Sequence, residues 1–289
     1  MEQEFFSVKK NSRIKETMRR LMKDRLAVAG LIFIMFLLAV IILAPFLAPY
    51  DYAKQDFAST YLGPCKEHWL GTDNLGRDIL SRLIYGTRVS LKIALCSVAL
   101  SSAIGILFGA VAGYYGGIID NLLMRFLDIY QSIPVLILSI VIATSLGPGV
   151  NNTIIALAIS VCPAYARMMR ASIMTVRDKE YIEAAQTINA SDARIIWRHV
   201  IPNAFSPLIV SITMNIGTSL LTAATLSFVG LGAQPPSPEW GAMLTTGKNY
   251  IRDYPYMIAF PGICIMLSVL SFNLLGDGLR DALDPRLKN

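Results

Sequence analysis

Long uncharged runs separated by short polar connections mark the whole chain. Leu26–Ala44 is nineteen residues without a charge, and Ile93–Tyr114 is twenty-two. A hydrocarbon core about 30 Å thick takes roughly 20 apolar residues per helical crossing, so each run predicts a span. Ile129–Leu146 predicts a third. Asn151–Ala166 is shorter and predicts a fourth, completed by the turn that carries Arg167. Val200–Ser237, uncharged throughout, holds a fifth span and a loop, and Met257–Leu275 is a sixth. The pattern predicts an all-α membrane protein with six transmembrane helices.

The runs divide the chain. Residues 1–25 form a basic lead, 26–48 the first transmembrane helix, and 49–88 a long connection with turn signals at "LGPC" and "GTDNLG". Residues 89–276 form a five-helix core, and 277–289 a tail. Connections near Gly116–Asn121 and Gly147–Asn151 are short, as neighbouring antiparallel helices require. Ser101, Gly105, Gly109 and Gly113 recur every four residues, putting small side chains on one helical face where another backbone can approach. No internal repeat is visible.

The exception to the apolar pattern is "EYIEAAQTINASDARIIWRHVIPNA", Glu180–Ala204. Asp178 is a candidate N-cap for a helix through Ile188, with Glu180 in its first turn. Asn189 suits a left-handed C′ position. Ser191 is placed to cap a second helix through His199, and Pro202 disfavours helical geometry at Ile201. Tyr181, Ala184, Ala185 and Ile188 share one stripe, beside which Glu183 offers a carboxylate. A solvated cap on the bundle and a docking surface both fit these residues alone. A DNA-reading helix-turn-helix does not, because spans hold both ends and the pair lacks a basic outer face.

Composition supports the membrane reading. The chain is 54% hydrophobic and 16% charged, with mean hydropathy +0.51; soluble domains carry about 25% charged residues. The net charge of +6 is concentrated before the first span, at Lys9, Lys10, Arg13, Lys15, Arg19, Arg20, Lys23 and Arg25. That placement predicts a cytoplasmic N-terminus and a retained first span. Six spans then return the C-terminus to the cytoplasm. Lys54, Lys66, Arg77, Arg82, Arg88 and Lys92 oppose this orientation, since it puts the 49–88 connection outside. Cys96, Cys162 and Cys264 fall in spans, and Cys65 has no external pairing partner.

Candidate chemistry is sparse. "GAMLTTGKN" (Gly241–Asn249) departs from a phosphate loop in glycine spacing and has Asn where Ser or Thr would hold magnesium. His68 and His199 lie on opposite predicted sides, and no metal-ligand pattern appears. The spans hold almost no ionisable group at mid-depth, against a proton relay. A catalytic role is therefore not expected. A passive channel remains open on composition, as does a membrane scaffold.

"EAA" with Asn189 and "IP" at 201–202 resembles the cytoplasmic EAA loop, EAA-x3-G-x9-I-x-LP, of permease subunits of bacterial ABC importers. "HWLGTDNLGRDILSRLIYGTRVSL" (His68–Leu91), "LSFVGLGAQPPSPEWGAML" (Leu226–Leu244) and "NLLGDGLRDALDPRL" (Asn273–Leu287) resemble the C-type permease of the dipeptide, oligopeptide and nickel importers, from about residue 20 onward. Asn189 replaces the usual glycine, and Ile201 the usual leucine.

The resemblance implies a type I ABC importer permease fold in a bacterial or archaeal cell membrane. It implies that Glu183, Ala184, Ala185, Asn189, Ile201 and Pro202 couple to an ATPase through helices at about 178–200. It also implies a homologous second permease, two ATPase subunits that bind ATP and magnesium, and an extracytoplasmic solute-binding protein. This chain itself is expected to hold no cofactor and no nucleic acid. The implied cargo is a short peptide, with nickel or a nickel chelate as the alternative. Thr213, Asn215, Thr218, Ser219, Thr222 and Thr225 are candidate path-lining residues in span five, unless each bonds back to its own helix.

Overall fold

A computed structural model describes residues 15–283. The expectations for Lys9, Lys10 and Arg13 and for residues 284–289 lie outside the described residues. Eleven helices are described here: α1 Arg25–Leu47, α2 Ile79–Tyr115, α3 Gly117–Gln131, α4 Val135–Leu146, α5 Val150–Met174, α6 Glu180–Thr187, α7 Asp192–Ile195, α8 Ile201–Ala204, α9 Ser206–Phe228, α10 Trp240–Gly247 and α11 Tyr256–Leu283. Among the described residues five helices (α1, α2, α5, α9 and α11) are long and apolar enough to cross a membrane, and α3 with α4, a bent pair, makes up to a sixth when the two count as one span.

The third span is therefore not the straight helix expected over Ile129–Leu146. Its two halves meet at 85° across residues 132–134, where Pro134 precedes α4 with an extended ψ of 133°. Two ion pairs hold α3 against α5: Arg170 with Asp120, and Arg167 Nη2 with Asp128 Oδ1 at 2.7 Å. Two boundaries also shift. α2 begins at Ile79, inside the expected 49–88 connection, and α11 runs to Leu283, past the expected end at 276.

The start of α2 has a local cause. Asp78 caps it, its Oδ2 accepting from the Ser81 amide and hydroxyl at 2.7 Å each, while His68 Nδ1 lies 2.9 Å from Asp78 Oδ1. Asp73 accepts from Arg77 Nε at 2.7 Å, with Arg82 Nε at 3.6 Å. Arg77, Arg82 and Asp73 are all buried. The connection is thus a folded polar knot seated on the helix ends, and two of the cations that opposed the orientation are internal ion-pair partners.

The small-residue face of α2 packs on α5 as its spacing predicts. A Cβ on Gly105 would lie 2.7 Å from the Cys162 carbonyl oxygen, and one on Gly113 3.1 Å from that of Arg170. α1 lies at the edge, with only 17% of its apolar window buried. Ile32, Phe36, Ile42 and Phe46 project outward from it, where a soluble protein would carry polar groups.

Candidate functional site

The polar pair sits at one end of the bundle, rooted in the spans. Ile182, Ala185, Ile195 and Ile196 pack with Met169 and Ile173 of α5, Ala110 of α2 and Leu208 of α9 in one buried cluster. Three hydrogen bonds tie the same region together. Tyr114 Oη donates to Asp192 Oδ1 at 3.0 Å, Arg177 Nη1 donates to the Gly113 carbonyl at 3.0 Å, and Asn203 Nδ2 donates to the His199 carbonyl at 2.7 Å. A displacement of α6 or α7 must therefore be felt at the ends of α2, α5 and α9.

The turn between α6 and α7 forms as the sequence predicts. Asn189 has φ 58°, the region Asn tolerates better than most residues with a Cβ. The Asn189 amide donates to the Gln186 carbonyl at 2.8 Å and the Ala190 amide to that of Ala185 at 3.1 Å. This is the Schellman pair of bonds, which satisfies the last carbonyls of a helix.

Other local expectations are corrected. Lys179, not Asp178, occupies the N-cap of α6, and neither it nor Ser191 makes a side-chain cap bond. Pro202 does not end the second helix. Ile201 is helical (φ −54°, ψ −51°), and a π turn over Ile196–Val200 carries the chain into α8, with Pro202 in its first turn. The stripe Tyr181, Ala184, Ala185 and Ile188 is also split. Ala185 is buried with Ile182, while Tyr181, Glu183, Ala184 and Ile188 are exposed.

What α6, α7 and the π turn after them offer outward is specific. Ile188 is 79% and Trp197 60% exposed, beside Glu183, whose carboxylate has no side-chain partner among the described residues. Partial burial raises the Tyr181 phenol, leaving it a neutral ring at the rim. An unpaired carboxylate among exposed apolar groups and a low alanine is suited to a protein partner, not to catalysis.

The polar residues of span five divide. Thr213, Thr222 and Thr225 return their hydroxyls to the carbonyls of Ile209, Thr218 and Leu221 at 2.9 Å each. Asn215 Nδ2 donates to Ser211 Oγ at 3.1 Å. Ser219 instead reaches across to α2, 2.6 Å from Ser97 Oγ. Asn215, Thr218, Ser219 and Thr222 line a cavity of about 40 Å³ with Ser97 and Ser101, room for a water or two. Ser97 and Tyr114 were not singled out from sequence. Ser97 lies in an apolar run and Tyr114 at its end, and neither shows its partner until the helices are packed.

Residues 105–289 match the family described as the binding-protein-dependent transport system inner membrane component, and residues 12–64 match the N-terminal transmembrane domain of oligopeptide transport permease C. The chain is a permease subunit of the binding-protein-dependent ABC importers. Permeases of this family are non-catalytic membrane components.

Individual relatives agree. A dipeptide transport system permease protein, DppC, of Alkalihalophilus pseudofirmus is 43% identical over 95% of this chain and 90% of its own length. Glutathione transport system permease proteins, GsiD, are 44% identical in Pectobacterium atrosepticum, over 95% and 92% of the two chains, and 45% in Escherichia coli, over 94% and 90%. Among solved structures, an inward-facing MetNI methionine ABC transporter superposes with TM-score 0.58 at 20% identity, covering 71% of this permease and 98% of that chain. The type I importer permease fold follows.

Proposed function

We propose that this permease forms half of the translocation path of an ATP-driven importer of short peptides. Its α6–α7 pair takes up the motion of a cytoplasmic ATPase. The observation that carries this reading is the two-sided build of the pair, with Ile182, Ala185 and Ile195 buried in the bundle and Glu183, Ala184 and Ile188 exposed. One face is rooted in α2, α5 and α9, and the other is open to a partner.

The remaining parts follow from that role. A homologous second permease completes the path, two ATPase subunits bind ATP and magnesium, and a solute-binding protein delivers cargo from outside. Both termini are cytoplasmic, in a bacterial or archaeal cell membrane. Burial of Arg77 and Arg82 in ion pairs supports that orientation, because it lowers the free positive charge of the connection. Asn215, Thr218, Ser219 and Thr222, with Ser97 and Ser101, line the path where it is constricted.

The cargo reading rests on relatives named for dipeptide and glutathione transport, two kinds of short peptide; nickel is not favoured. Reconstitution of the four membrane and ATPase subunits with the binding protein tests it. ATP-dependent uptake of a labelled dipeptide or glutathione is expected. Uptake that continues without ATP or the ATPases marks a channel instead.

A further inference from the structure

Ahead of α1, residues 15–21 are helical, and the chain turns into the span through Met22, Lys23 and Asp24. The amides of these three donate to the carbonyls of Met18, Arg20 and Leu21 at 3.0, 3.0 and 3.1 Å. Asp24 Oδ1 then caps α1 by accepting from the Leu26 amide at 2.9 Å. Leu21, 4% exposed, roots the turn among Ala27 of α1 and Ala282 of α11.

Beside that contact lies a cavity of about 380 Å³, with Glu16, Arg19, Lys23, Asp24 and Asp281 in its lining. Its size falls in the range of small-molecule sites, about 300–1,000 Å³. Glu16 is engaged by Arg20 at 2.6 Å, and Asp24 by its cap. Arg19, Lys23 and Asp281 are exposed and make no ion pair among the described residues. Two cations and one carboxylate complement a ligand that carries both an anion and a cationic donor.

The position of the cavity selects the kind of ligand. Asp24 and Arg25 are the last charges before the uncharged run of α1, which places the cavity at the depth of phospholipid headgroups. Met18 and Met22, four residues apart, are 52% and 54% exposed, and Leu26 at the head of α1 is 63% exposed. Apolar side chains beside basic ones make the surface of a segment lying at the boundary between headgroups and acyl chains. A free phosphate or nucleotide would leave those apolar groups unmatched. A purely anionic headgroup would face the Asp281 carboxylate with nothing to offer it.

We propose that this cavity binds the headgroup of an aminophospholipid, its phosphate on Arg19 and Lys23 and its primary ammonium on Asp281. The acyl chains pass Met22 and Leu26 along the exposed side of α1. Such binding needs only that α1 crosses the membrane, and it is independent of the importer reading.

Full-length permease, purified with the subunits that accompany it, is equilibrated with equimolar phosphatidylethanolamine, phosphatidylglycerol and phosphatidylcholine. The lipid retained is identified by native mass spectrometry. Phosphatidylethanolamine should exceed the other two. Arg19→Gln and Lys23→Gln should each lower its retention about fivefold, and Lys66→Gln, in the distant connection, should not. Asp281→Ala should bring phosphatidylethanolamine down to the level of phosphatidylcholine, which has no N–H to donate. All these variants should keep the wild-type unfolding temperature in phosphatidylcholine alone, which separates lost binding from lost folding. A photo-crosslinker at Met22 should form adducts with lipid. Equal retention of the three lipids, a preference for phosphatidylglycerol, full retention in both Arg19→Gln and Lys23→Gln, or Met22 adducts only to another subunit overturns the proposal.

Discussion

Arg88 Nε donates to the carbonyl oxygen of Ile41 at 2.6 Å, a bond made necessary by Pro45. In a helix the amide of residue 45 would bond to carbonyl 41, and proline has no amide to offer. Pro45 lies inside α1, so α2 supplies the donor that α1 lacks. A charge-assisted bond to an otherwise orphaned carbonyl is worth about 1.5–3 kcal/mol. Arg88→Met should therefore destabilise the purified permease by about that much. In a Pro45→Ala background, where the helix supplies its own donor, the same change should cost much less. Equal costs in a double-mutant cycle of thermal unfolding would break the argument.

Glu183→Ala should reduce uptake about 30-fold or more, from the roughly 2–5 kcal/mol lost when one member of an interfacial pair is removed. Insertion and stability should stay near wild type, because the carboxylate is exposed and has no side-chain partner among the described residues. ATPase co-purification and uptake are measured together. Normal values for both would reduce α6 to a solvated cap.

The split stripe on α6 separates two substitutions that look alike in sequence. Ala185 is buried, so Ala185→Trp should cost about 1–3 kcal/mol by overpacking and appear as lowered thermal stability. Ala184 is exposed, so Ala184→Trp should leave stability unchanged and block ATPase retention. The reverse assignment would mean that α6 is rotated from the orientation described.

Glu239 ties the loop before α10 to α2. Its carboxylate accepts from the Gly241 and Ala242 amides at 2.9 and 2.7 Å and from Ser90 Oγ at 3.3 Å. Burial raises its pKa above the ordinary 4.5, against the lowering by the Gly241 amide. A raised folded pKa means that the native state holds the proton more tightly than the unfolded chain does. The group's contribution is thus most favourable below about 4.5 and declines as pH rises through the raised value. Unfolding temperatures between pH 4.5 and 8 should show that decline, and Glu239→Gln should remove it. Identical pH slopes in the two proteins would count against it.

Labels placed at Lys66 and Gln234, both exposed, should react from outside intact cells, and one at Asp192 only after permeabilisation. Trp240 is unsuitable for such a label, since it is 1% exposed and its indole donates to the Leu83 carbonyl at 3.1 Å. External reaction at Asp192 would place the α6–α7 pair on the wrong side for an ATPase.

Five of the spans were legible from sequence because crossing a bilayer demands an apolar length, and length is one-dimensional. The tight turn at Asn189 was legible because a positive φ restricts residue type locally. The course of the third span was not. Pro45, Pro163 and Pro261 sit inside helices that continue through them, while the chain breaks at 132–134, so proline alone does not decide a bend. What holds α3 across α5 is the pairing of Asp120 with Arg170 and of Asp128 with Arg167, between partners about forty and fifty residues apart. The inward face of α6 was likewise undecided. Both Ile182 and the Tyr181–Ile188 stripe have helical spacing, and only the position of Met169 and Ile173 at the end of α5 made Ile182 and Ala185 the buried side. Periodicity sets which residues share a face, but contact with the rest of the bundle decides which face is inside, and that contact exists only once the helices are packed.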